Sequence, residues 1–211
     1  MQKKDIDSFY ANLAAARPEP KGELSYINPY TLLVATVLSA QATDVGVNKA
    51  TGPLFKKVKT AQKMVALGEA DLKDFIKSIG LYNTKAKNII KLSQMLIDDH
   101  QGRVPQDREA LEKLPGVGRK TANVVLNIAF GEPTIAVDTH IFRLGNRTGL
   151  APGKTPLEVE MKLVKATPDK FKQHAHHWLI LHGRYVCKAR KPDCGACVVA
   201  AECGYKAKIL V

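Results

Sequence analysis

Leu114-Pro115-Gly116-Val117-Gly118-Arg119-Lys120-Thr121-Ala122 is the stretch on which the reading of this chain turns. It lies between two segments of helical pattern, Arg108 to Lys113 and Arg119 to Phe130. Gly116 and Gly118 let the backbone turn sharply and approach another surface closely. The first N–H groups of the second helix lack intrahelical acceptors, and the helix dipole there favours anions. Such a turn can donate backbone hydrogen bonds to a phosphate without reading base sequence. It also suits a tight corner between two helices that binds nothing. The charge of the chain favours the first alternative. Its 32 Lys+Arg against 20 Asp+Glu leave a formal net charge of +12, which points to a polyanionic partner, most simply nucleic acid.

Outward from the hairpin, the helical period dominates. Ile6, Phe9, Tyr10 and Leu13 share one helix face, and that run breaks at Arg17-Pro18-Glu19-Pro20. Asn28-Pro29 reads as a cap followed by an N1 proline. Ile89, Leu92 and Leu96 give another apolar face. Thr155-Pro156-Leu157-Glu158 reads as a capping box, and Thr167-Pro168 as a second N-cap with proline. Val124, Leu126, Ile128 and Phe130 alternate as a strand would, but the glycines on either side fit a buried helix better. Thr134 to Val137 is the one candidate for a short extended piece. These signals predict an all-α protein of about ten short helices, with boundary candidates at Pro18–Gly22 and Gly131–Pro133.

The composition, 45% hydrophobic and 25% charged, is that of a globular protein and excludes a disordered basic tail. The longest apolar stretch, Leu32 to Leu38, is too short to span a bilayer, and the N-terminus shows no apolar leader. The expectation is therefore a soluble intracellular protein with no membrane partner, cytoplasmic or nucleoid-associated and not secreted.

Two side chains and one cluster carry candidate chemistry. Lys120 occupies the first turn of the hairpin's second helix, where the dipole opposes its charge. Burial would add to that effect, and a lowered pKa is the condition for a lysine nucleophile. A solvated lysine touching phosphate is the alternative. Asp138 precedes a helix running through Ile141, Phe142 and Leu144, so it is an N-cap candidate as well as a candidate catalytic carboxylate. The four cysteines follow the pattern Cys187-x6-Cys194-x2-Cys197-x5-Cys203, with none in the first 186 residues. That crowding reads as one metal site rather than a disulfide framework. Zinc and a [4Fe–4S] cluster both suit four thiolates, and the spacing alone leaves the choice open. His174, His176, His177 and His182 are read as capping and packing residues, because four cysteines already complete a site.

The hairpin segment resembles the helix–hairpin–helix of base-excision DNA glycosylases. Leu38-Ser39-Ala40-Gln41-Ala42-Thr43-Asp44, Val137-Asp138-Thr139-His140 and the four-cysteine tail resemble the endonuclease III family in particular. The likeness runs from about Glu23 to Tyr205. It implies two helical lobes, a helix–hairpin–helix motif (about 108–130) and a C-terminal iron–sulfur cluster loop. One lobe would span 22–132; the other would combine 1–21 with 133–211 and carry the cysteines.

The resemblance also implies chemistry. Lys120 and Asp138 match the family's bifunctional active site, with the lysine forming a Schiff base and a nick following by β-elimination. The substrates implied are oxidised pyrimidines and abasic sites in double-stranded DNA, bound by a monomer. The cofactor implied is [4Fe–4S] on Cys187, Cys194, Cys197 and Cys203. A flipped nucleotide leaves a hole in the duplex, and Gln41 and Leu81 are the candidates to fill it. Gly116, Gly118 and Lys191, the last on the basic loop Lys188 to Asp193, are candidate backbone contacts. Rival readings are a non-catalytic helix–hairpin–helix module, which needs neither Lys120 nor Asp138, and an iron–sulfur redox protein, which needs no hairpin. A mismatch-adenine glycosylase characteristically lacks the lysine. An 8-oxoguanine glycosylase of the lysine type leaves the cysteines unexplained.

Overall fold

Asn28 shows how local sequence starts these helices. Its side-chain oxygen accepts the Thr31 N–H at 2.9 Å, while the Thr31 hydroxyl accepts the Asn28 N–H at 2.9 Å. Pro29 follows at the first helical position, where a missing N–H costs nothing. The helix so opened is one of ten in a computed structural model that describes residues 1–209. In chain order they are α1 (Lys3–Ala16), α2 (Pro29–Leu38), α3 (Asp44–Lys57), α4 (Ala61–Ile76) and α5 (Tyr82–His100). There follow α6 (Arg108–Glu112), α7 (Arg119–Phe130), α8 (Thr139–Thr148), α9 (Pro156–Ala166) and α10 (Lys172–Tyr185). A 3₁₀ turn, Asp169–Phe171, precedes α10. Among the described residues there is no strand, so the protein is all-α and Thr134 to Val137 pairs with nothing in a sheet. No described helix is long and apolar enough to cross a membrane.

The chain divides into two compact units, Glu23–Gly131 and a second made of Met1–Gly22 with Glu132–Val211. In Glu23–Gly131, α2 is buried from Tyr30 through Leu38. A helix apolar on all sides must be surrounded, and α3, α5 and α7 pack around it. Leu33, Val37, Leu54, Ile89, Leu92 and Leu126 belong to that core. Within it, the buried Tyr30 and Ser93 hydroxyls hydrogen-bond to each other at 2.6 Å. Helix α4 bends at Gly68, whose φ of +79° only glycine adopts freely.

In the other unit, Phe9, Tyr10 and Leu13 of α1 join Ile141, Leu144, Val159, Leu163 and Trp178 in one core. The Trp178 indole N–H donates to the Arg17 carbonyl at 2.7 Å. Two cap expectations need correction here. Thr167 is not an N-cap but the last residue of α9's turn: its hydroxyl donates to the Leu163 carbonyl and pairs with the Tyr10 hydroxyl at 2.8 Å. Burial beside Tyr10 gave that hydroxyl a better partner than a downstream amide. At α9's start, Thr155 does accept the Glu158 N–H, but the Glu158 carboxylate reaches past the cap to the Lys154 N–H at 2.9 Å.

Candidate functional site

The hairpin is built from apolar anchors and two unlike glycines. Leu111, Leu114 and Val117 are buried, which holds the turn against the core while Gly116 and Gly118 remain exposed. Gly116 has φ +81°, and a Cβ there would meet the Asn88 side chain at 3.1 Å. Gly118 is different. It is the extended N-cap of α7 (φ −99°, ψ 176°), and a Cβ on it would point into open space. No side chain caps α7, so its leading amides are presented over an unobstructed glycine. That is the arrangement an incoming phosphate requires. Lys120 is in this first turn and is exposed.

Asp138 is the N-cap of α8. Its Oδ1 accepts the amides of His140 and Ile141, both at 2.9 Å. Its Oδ2 accepts no hydrogen bond among the described residues, and the side chain is half-buried. One carboxylate therefore has a structural oxygen and an unengaged one.

Left-handed backbone marks the other nominated residues. Among the described residues, φ is positive outside glycine at Gln41 (+54°), Leu81 (+60°), Gln101 (+54°) and Lys191 (+49°). Gln101 closes α5, while the remaining three are the candidate DNA contacts. An L residue pays about 1–2 kcal/mol for that conformation, so surrounding contacts must impose it. Leu81 is 60% exposed, contrary to what a core leucine would show, and Gln41 is exposed as well.

The cysteines lie on one winding segment after α10. Cys187 is buried and the other three are half-buried, all as free thiols. Burial pushes the Cys197 thiol up, and charge on Cys203, Cys187 and Cys194 pushes it the same way, so each of these three lies within electrostatic reach of Cys197. Donors already face them: the Tyr205 N–H lies 3.4 Å from the Cys203 Sγ, and an Arg147 N–H 3.5 Å from the Cys187 Sγ. A thiolate set with hydrogen bonds to sulfur fits a [4Fe–4S] cluster. Among the described residues no three His, Cys, Asp or Glu side chains converge on a single ion. A cluster that offers each cysteine its own iron does not need that convergence.

Two arginines that the sequence did not single out hold this segment. Arg143 and Arg147 are one turn apart on α8. Arg143 donates to the Cys187 carbonyl at 3.0 Å, and Arg147 to the carbonyls of Lys188 at 2.7 Å and Ala189 at 3.1 Å. Their i, i+4 spacing was the available signal. Lys188, Arg190 and Lys191 are consequently displayed, exposed, on a braced loop. His176 and His177 are buried packing residues as expected, but His182 is not remote from the thiols. Its Nε2 lies 3.4 Å from the Cys197 Sγ.

The chain is similar to known proteins. The family model described as HhH-GPD superfamily base excision DNA repair protein matches residues 34–169. One described as the iron–sulfur binding domain of endonuclease III matches residues 187–203. Endonuclease III of Escherichia coli strain K12 is 60% identical over 209 residues, covering 99% of each chain. That of Haemophilus influenzae is 57% identical, again with 99% of each chain covered. A solved structure of an endonuclease III–DNA covalent intermediate matches with a TM-score of 0.89 and 47% identity, over 97% of this chain and 96% of that one.

Proposed function

Because the chain belongs to the endonuclease III family of base-excision DNA repair proteins, we propose that it excises oxidised pyrimidines using Lys120 and Asp138. It is a DNA glycosylase with lyase activity at abasic sites, and DNA is its partner. The observation that carries the residue assignment is the position of Lys120: exposed in the first turn of α7, two residues after an uncapped Gly118 that leaves the helix amides open to phosphate. Backbone grip and nucleophile thus share one turn.

The chemistry follows from the two side chains. The target nucleotide leaves the stack, since its sugar carbon is otherwise out of reach. The neutral Lys120 amine donates its lone pair to C1′. The bond from C1′ to the base breaks, and its electron pair departs with the base, which takes up a proton. The unengaged Oδ2 of Asp138 stabilises positive charge developing on the sugar and accepts a proton from the attacking amine. Sugar-ring opening yields the imine. Loss of the C2′ proton then expels the 3′ phosphate and cuts the strand; water hydrolyses the remaining imine, freeing the Lys120 amine and the unsaturated aldehyde on the 5′ fragment. Gln41 fills the vacated position opposite the orphaned base, and Leu81 wedges between base pairs.

The cluster, when bound, supplies a four-point cross-link through Cys187, Cys194, Cys197 and Cys203. The chain's own Arg143 and Arg147 brace the same loop, so Lys191 is held ready for a backbone phosphate. A monomer inside the cell, working where DNA is, completes this reading. Borohydride trapping on a panel of oxidised pyrimidines and an abasic site tests it. Wild-type protein should form a covalent adduct with each and Lys120→Ala with none; an undiminished adduct in the variant would overturn the assignment.

A further inference from the structure

Gln41 and Leu81 lie on separate loops, one after α2 and one after α4, and a single residue is bonded into both. Lys85 sits one turn into α5. Its backbone N–H donates to the Leu81 carbonyl at 3.0 Å. Its side chain runs the other way, and Nζ donates to the carbonyls of Leu38 at 2.9 Å and Ala40 at 2.7 Å. The Ala40 oxygen belongs to the peptide plane that carries the Gln41 N–H. Holding that oxygen therefore sets the plane from which the left-handed φ of Gln41 is turned. The Leu38 carbonyl ends α2, where the helix dipole welcomes a cation.

This ammonium is costly to keep. Lys85 is only 5% exposed, and burial lowers its pKa from the ordinary lysine range. No carboxylate pairs with it among the described residues. A methionine would fill similar volume without desolvating a charge. What methionine lacks is the pair of donors. Two segments with left-handed residues are thus joined at one residue, whose side chain holds the loop of Gln41 and whose backbone is bonded to Leu81.

We propose that Lys85 is the positioning residue of the lesion wedge: it holds the loop of Gln41 against the helix that begins at Leu81, so that both side chains enter a duplex together. This rests on the reading of Gln41 and Leu81 as the residues that fill the hole. Lys85 touches neither substrate nor the reacting sugar and acts only through those two.

The test compares two substrates. A duplex with one abasic site has a hole to fill, whereas a single-stranded oligonucleotide with the same site has none. The readout is the ratio of borohydride-trapping rates, duplex over single strand. Lys85→Met should lower that ratio about tenfold, the equivalent of one charge-assisted hydrogen bond lost from the wedge. Lys85→Arg, which keeps two donors, should recover most of it. In a Gln41→Ala/Leu81→Ala background, adding Lys85→Met should change the ratio no further, because its intermediaries are gone. An unchanged ratio in Lys85→Met, with both rates falling together, would mark a merely structural lysine and overturn the proposal. So would a full further loss in the double-alanine background. If Gln41→Ala/Leu81→Ala leaves the ratio intact, the wedge reading itself fails, and the role of Lys85 falls with it. Should Lys85→Met not fold, Lys85→Gln, with an amide in place of the ammonium, is read by the same ratio.

Discussion

The Asp138 Oδ1 accepts the Ile141 N–H at 2.9 Å, so the carboxylate proposed for catalysis is also the stop that starts α8. The two roles use different oxygens and can be separated. Asn caps a helix about as well as Asp but carries no charge. Asp138→Asn should therefore keep its melting temperature and lose glycosylase rate by about 10²–10⁴. Asp138→Ala should lose a similar amount of rate and, in addition, about 1 kcal/mol of stability. Thermal melts beside single-turnover rates check this, and a stable, fully active Asp138→Asn would remove the carboxylate from the mechanism.

The hairpin glycines should fail in different ways. Gly116→Ala forces a left-handed alanine against Asn88 and should cost about 1–2 kcal/mol. Gly118→Ala meets no neighbour and keeps an extended backbone, so its stability should change by no more than about 1 kcal/mol, the cost of alanine at an N-cap. Its methyl instead occupies the approach to α7's amides. Binding to damaged and undamaged duplex should weaken about tenfold, as for loss of one hydrogen bond to a charged group. Fluorescence anisotropy with denaturant melts distinguishes the two patterns.

Lys191 and Arg147 should give related losses for different reasons. Lys191→Ala removes one phosphate contact, so the slope of log affinity against log salt should fall by about 1, without regard to sequence. Arg147→Met keeps every exposed lysine but releases the carbonyls of Lys188 and Ala189. It should weaken DNA binding similarly and also shorten the lifetime of the cluster's absorption under oxygen or chelator. An Arg147→Met protein with normal binding would show that the loop needs no brace.

His177 sets a pH limit on the unit that carries the cysteines. It is buried on α10 with its ring 5.3 Å from that of His176. Burial first, and charge on His174 second, hold it below its usual 6.5. Above pH 6.5 folded and unfolded chains are both neutral there, and nothing is lost. As pH falls below 6.5 the unfolded chain takes up a proton that the folded chain refuses, so stability declines toward the folded pKa, with a slope of at most about 1.4 kcal/mol per pH unit. His177→Gln should flatten that decline between pH 7 and 5 in thermal melts.

Much of this protein is written locally. Helix starts at Asn28 and Thr155, the stop at Gly131, the all-α class and the crowding of Cys187 to Cys203 need only nearest neighbours along the chain, because caps, turns and apolar period act within a few residues. The hairpin was legible for the same reason: its two glycines and the uncapped start of α7 are adjacent in sequence. What tertiary structure decided is where each group ends up. Lys120 is exposed at the start of α7, an environment that its place in the sequence left open. Thr167 turns back to Leu163 and Tyr10 instead of capping forward, because a buried hydroxyl takes the partner the core brings to it. His182 lies beside Cys197. Arg143 and Arg147 look like ordinary surface arginines until the chain returns, 40 to 44 residues later, with carbonyls for them to hold. Lys85 reads as one more of 32 basic residues, and only the fold buries it against the loop of Gln41. Composition records how many cations a chain has, but their environment is set by distant segments, and that environment separates a solvated charge from one that holds two loops together.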